Sequence, residues 1–204
     1  MSKTTALIFV EGETEEEFYQ VVCDRYLRGL SKQVKNLHGN FNIHNKILDK
    51  TVSFLENHPE SAVRVYCCID RESRDQNPPI NIDQLVKTFA LKKCRVLSVK
   101  KIIATQMIES WFFHDTEGIY KFLSTPKSKR NYKFKPPEKF THIHLADLFK
   151  RNGKIYIKGK RCQNFVNHLD IDKIVGACEE LQKGINSILR KKQLSKTKAL
   201  KSKK

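Results

Sequence analysis

Apolar and polar positions fall into blocks that predict strands separated by helices. Residues 5–10 form a short apolar, partly β-branched run, as expected of a strand covered on both faces. Residues 62–69, reading AVRVYCCI, are the clearest second core strand and end at Asp70. Residues 94–99 (CRVLSV) predict another strand, and residues 41–48 and 154–158 are read as short strands. Helices are expected over residues 14 to about 30, with Phe18, Val21, Val22 and Leu27 on one face, and over 50–57, stopped by Pro59. Further helices are expected over 82–93, 142–151 and 172–190. In the helical region 104–123, Met107, Ile108, Trp111 and Phe112 form an apolar stripe. Such alternation predicts an α/β fold with a mostly parallel sheet and right-handed crossovers.

Composition narrows the picture. With 204 residues and 39% hydrophobic content the chain suits one domain with an appendage, although its mean hydropathy is −0.53. No apolar run approaches the roughly twenty residues of a membrane span. The first residues carry no signal-peptide pattern. Six scattered cysteines form no CxxC pair and read as buried thiols, so a cytoplasmic protein is expected.

The formal net charge is +17. Residues 190–204 hold eight basic residues and no acid; subtracting these eight charges from +17 leaves +9 on the remainder. A body this basic points to an anionic partner, of which nucleic acid is the commonest.

The chemistry concentrates in Phe9-Val10-Glu11-Gly12-Glu13-Thr14-Glu15-Glu16-Glu17-Phe18. It reads as a strand end, a tight turn eased by Gly12, and a helix start with Thr14 as N-cap and Glu17 completing a capping box. Glu11 then sits at the carboxyl end of a strand, where open α/β sheets bind ligands. A phosphate-cradling turn would be glycine-rich; here Glu11, Glu13 and Glu15 would repel phosphate unless a divalent cation lay between. Acids in a first helical turn also complement the helix dipole, which accounts for Glu16 and Glu17 but not for Glu11. Asp70, and Glu72 two residues on, stand after another strand. Hard carboxylate oxygens of this kind suit Mg²⁺ or Mn²⁺.

These two motifs resemble those of the Toprim fold family. Phe9-Val10-Glu11-Gly12-Glu13-Thr14-Glu15 is similar to the VEGxTE form of OLD-type nucleases, and Ile69-Asp70-Arg71-Glu72 is similar to the family's DxD motif, with Glu in place of the second Asp. The resemblance covers roughly the first half of the chain. It implies a Toprim, Rossmann-like sheet flanked by helices, with the core over residues 1–103. The sequence pattern places a helical, basic extension over 104–190, and composition makes the lysine-rich run over 191–204 an expected disordered tail. The resemblance further implies Mg²⁺- or Mn²⁺-dependent cleavage of phosphodiester bonds in DNA or RNA. Glu11 would be a metal ligand or general acid/base, Asp70 and Glu72 metal ligands, and Glu15 a further ligand. A later acid is also implied, for which Glu109 is the candidate, and a lysine, for which Lys158 and Lys160 are candidates. Such nucleases often accompany a separate ATPase in anti-phage defence, and this chain carries no Walker motif. An oligomer stays open.

Residues 126–139 form a basic loop in which Lys129, Arg130, Lys133 and Lys135 could meet phosphates while Tyr132 and Phe134 stack on unpaired bases. The rival reading is a non-catalytic nucleic-acid-binding or regulatory module that kept the Toprim fold.

Overall fold

The computed structural model describes residues 4–71, 79–130, 137–162 and 164–189. Glu72, Lys133, Lys135 and the lysine-rich tail from 191 onward lie outside the described residues.

The protein is α/β, with a four-stranded, all-parallel sheet flanked by helices. The strands are β1 (Thr4–Val10), β2 (Lys32–Asn36), β3 (Ala62–Asp70) and β4 (Val96–Ala104), in the order β2-β1-β3-β4. The chain leaves β1 through helix α1 (Glu13–Tyr26) to β2 on one side. It then returns through α2 (Ile43–Asn57) to β3 on the other side of β1. The carboxyl ends of β1 and β3 therefore border the point where strand order reverses, the usual ligand crevice of an open sheet. Helix α3 (Ile82–Leu91) follows β3.

Each strand sends alternate side chains to opposite faces. On one face Leu7, Phe9, Val63, Val65, Cys67 and Ile69 pack with Ile43, Ile47 and Phe54 of α2 and with Leu85 and Phe89 of α3. On the other, Ile8, Val10, Tyr66 and Cys68 pack with Phe18 and Val22 of α1. That second core continues into the C-terminal half: α4 (Ile108–Phe112), α5 (Thr116–Phe122), α6 (His142–Arg151), α7 (Ile171–Ala177) and α8 (Glu179–Leu189). Trp111, Phe112, Phe149, Phe165, Leu181 and Ile185 all belong to it. All six cysteines are free thiols.

Several local expectations are corrected. The second strand lies at Lys32–Asn36, and residues 43–48 belong to α2, because Ile43 and Ile47 are one helical turn apart and both reach the core. β2 (KQVKN) is a partly exposed edge strand whose polar sequence carries no apolar signal. Residues 154–158 form no strand. The predicted helix over 172–190 is interrupted at Cys178, between α7 and α8. At the start of α1 the N-cap is Gly12, without any side-chain cap, and Thr14 is already inside the helix. Thr14 Oγ1 donates instead to the carbonyl of Lys160, 146 residues away, at 2.8 Å. Gly12 is extended (φ −141°, ψ −177°), so its value is not conformational freedom. A Cβ there would lie 3.0 Å from the Gly159 Cα and 2.9 Å from Glu15 Oε2, so the glycine permits a close approach.

Candidate functional site

Four carboxylates meet at the carboxyl end of the sheet. Glu11 follows β1, Glu15 lies in the first turn of α1, Asp70 ends β3, and Glu109 lies in the first turn of α4. Glu15, Asp70 and Glu109 are buried, the last at 0% exposure. The acids are interlocked through backbone amides. The Asp70 N–H donates to Glu11 Oε1 at 3.1 Å, and the Ile108 N–H donates to Asp70 Oδ1 at 3.0 Å. One oxygen of Glu15 and one of Glu109, both Oε2, are buried without a hydrogen-bond partner.

Burial and like charge act together here. Burial pushes the Glu15 carboxyl up to about 7, with further repulsion from Glu109 and Glu11. Burial raises Asp70 well above the usual carboxylate range, with Glu15, Glu109 and Glu11 adding to it and Lys158 opposing. The four acids thus share one electrostatic neighbourhood.

The cover over this cluster comes from the far end of the chain. Residues 156–161 form a strap across the start of α1. The Glu13 N–H donates to the Gly159 carbonyl at 2.9 Å, and the Arg161 N–H donates to Glu13 Oε2 at 3.0 Å. These bonds join the Thr14 contact to Lys160 described above. The Arg161 amide and the Lys160 ammonium hold the Glu13 carboxyl below its ordinary range. The strap brings two side chains to the acids. Lys158 Nζ lies 3.9 Å from Asp70 Oδ2, and the Tyr156 hydroxyl donates to Glu109 Oε1 at 2.7 Å. A cavity of about 410 Å³ opens beside the cluster, lined in part by Glu11, Glu15, Asp70, His38, Lys158 and Lys160.

The structure therefore brings together Glu11, Glu15, Asp70, Glu109 and Lys158, and sets Lys160 at the rim, 3.6 Å from Glu13. It does not add Arg130 to a free basic surface. Arg130 Nη1 bonds Glu117 Oε1 at 2.6 Å, its Nε donates to the Thr125 carbonyl at 2.9 Å, and its guanidinium lies over the Tyr120 ring. Its neighbour Lys129 is exposed. Tyr156 had no sequence signal, since nothing local distinguishes it from the other tyrosines.

A family model described as a domain of unknown function, DUF4276, matches residues 10–188. The chain belongs to that family. The span shared with DUF4276 contains all four acids and the whole strap, so the site lies within the family domain. No curated protein and no solved structure matches the chain.

The donor set suits a hard divalent cation. Clustered carboxylates with two unpartnered buried oxygens are oxygen ligands whose mutual repulsion a cation would relieve. Among the described residues no three His, Cys, Asp or Glu side chains are already set to hold one ion. Like charges resist closing on a common point until a cation compensates them.

Proposed function

We propose that this protein is a Mg²⁺- or Mn²⁺-dependent nuclease cutting phosphodiester bonds in DNA or RNA at the cluster of Glu11, Glu15, Asp70 and Glu109. The observation that carries the reading is the convergence of four acids from β1, α1, β3 and α4 at the switch point of a parallel sheet. Three of the four are buried, and burying like-charged carboxylates side by side is costly unless something compensates them. The resemblance of the Glu11 and Asp70 motifs to those of Toprim nucleases supports the same chemistry.

In this reading Glu11, Asp70, Glu15 and Glu109 hold the cation. A divalent cation bound there would supply polarisation of a phosphoryl oxygen and compensation of charge on the attacking and leaving oxygens. Asp70 is steadied by the Ile108 amide and Glu11 by the Asp70 amide, so both carboxylates are held before substrate arrives. Lys158, on the cavity wall, is positioned to take up negative charge on a phosphate. The +17 net charge draws the polyanion in. A separate ATPase subunit and a role in anti-phage defence are part of the proposal through the resemblance alone.

One observation favours the rival, a non-catalytic module: Lys158 beside Asp70 could serve as a permanent counter-ion in a site that takes no metal. The deciding experiment is a cleavage screen on plasmid, single strands and transfer RNA with Mg²⁺ or Mn²⁺, comparing wild type with Glu11→Gln. The nuclease reading expects cutting that needs the metal and disappears in Glu11→Gln while nucleic-acid binding survives. Cutting retained by Glu11→Gln, or no cutting of any substrate, rejects it.

A further inference from the structure

We propose that Tyr156 is a positioning residue of the carboxylate cluster, holding one oxygen of Glu109 so that the other is presented to a divalent cation. The inference rests on the metal-binding part of the function proposed above. The two oxygens of Glu109 differ in their surroundings. Glu109 Oε1 receives the Tyr156 hydroxyl at 2.7 Å, whereas Oε2 is buried with no hydrogen-bond partner. A fully buried carboxylate rarely leaves an oxygen unsatisfied, because the cost of stripping its water is then not recovered. With Oε1 engaged, Oε2 is the atom left for a ligand.

Tyr156 is itself fixed from three sides. Its ring packs on Phe149 and Phe165, with centroids 5.3 and 6.3 Å away. The strap that carries it is tied to the start of α1 through Glu13 and Thr14. Gly159 also packs close to Gly12, near enough that a Cβ on Gly12 would meet the Gly159 backbone at 3.0 Å. A rigid aromatic donating to a ligand's remote oxygen is how outer partners commonly orient ligating carboxylates, and their loss typically weakens metal affinity about 10–100-fold. Packing on Phe149 and Phe165 requires only the ring, so the hydroxyl's own contribution is its bond to Glu109.

The test measures Mn²⁺ binding to the full chain by calorimetry and by electron paramagnetic resonance, with no substrate present. Wild type, Tyr156→Phe, Glu109→Gln and the double variant are compared. Tyr156→Phe keeps the ring and removes only the hydroxyl. The expected result is a Mn²⁺ affinity about 10-fold or more weaker in Tyr156→Phe, with the far-UV spectrum of wild type. In the double variant the affinity should equal that of Glu109→Gln, because Tyr156 acts through Glu109. Unchanged affinity in Tyr156→Phe overturns the positioning role, and so does a loss that adds fully to that of Glu109→Gln. Failure of wild type to bind Mn²⁺ overturns the function proposed above, and the positioning role with it.

Discussion

The backbone amide of Asp70 donates to the carboxylate of Glu11 at 3.1 Å, joining the carboxyl ends of two adjacent parallel strands 59 residues apart in sequence. Glu11 is not simply appended to its strand, because the backbone of Asp70 holds its side chain. Two substitutions separate this bond from the charge. Glu11→Gln and Glu11→Ala both remove the negative charge, but only glutamine keeps an acceptor for the Asp70 amide. The alanine variant is expected to be less stable than the glutamine variant by about 1–3 kcal/mol, read from urea unfolding of metal-free protein. Equal stability would show that the amide finds another acceptor.

Stability of the metal-free protein should fall as pH rises from about 4.5 to about 7. Glu15 has a folded value of about 7 against an ordinary 4.5, and Asp70 is raised in the same direction. A folded state that holds its protons more tightly than the unfolded chain binds more of them across that window, so raising the pH favours unfolding. For Glu15 alone the loss is on the order of a few kcal/mol. Melting curves at pH 5 and pH 8 check the sign. Added Mg²⁺ should restore stability at pH 8 and have little effect at pH 5, where protons compete for the same oxygens.

Gly12→Ala should damage the site without replacing any of its acids. The new methyl would meet the Gly159 backbone at 3.0 Å and Glu15 Oε2 at 2.9 Å. Backbone cannot step aside as the end of a side chain can, so the strap is expected to lift. We expect a stability loss of about 1–3 kcal/mol. Hydrogen exchange should be faster at the Glu13 amide, which donates to Gly159. Unchanged exchange there would mean that α1 moves instead of the strap.

Arg130 and Lys129 are adjacent basic residues with opposite expected behaviour. Arg130→Ala removes bonds to Glu117 and to the Thr125 carbonyl and should lower stability by about 1–3 kcal/mol, leaving affinity for a single-stranded oligonucleotide unchanged. Lys129→Ala should leave stability unchanged. If this exposed lysine meets a phosphate, its loss weakens binding and shallows the salt dependence. Fluorescence anisotropy at two salt concentrations distinguishes the two residues.

Local pattern was enough for the parts of this protein that obey local rules. The runs ending at Val10 and Asp70 are apolar because strands buried on both faces must be, and a polar residue just after such a run stands at the sheet's carboxyl end. Glu11 and Asp70 were legible for that reason, as was helix α6, whose bounds match the expected ones. β2 was not legible, since an edge strand with exposed sides needs no apolar run, and its place beside β1 is set by pairing. The capping box failed because the Thr14 hydroxyl found a tertiary acceptor in Lys160.

The amino-acid order alone thus determined an α/β chain with two acids at strand ends and an excess of positive charge. Only the folded chain decided that Glu15 and Glu109 are buried beside those acids, that Tyr156 and Lys158 cover them, and that Arg130 turns inward. The physical reason is separation along the chain. Hydrophobic periodicity reports which face of an element is covered, but not by what. The contacts that complete this site span 38, 47 and 148 residues, distances over which no pattern in the sequence repeats.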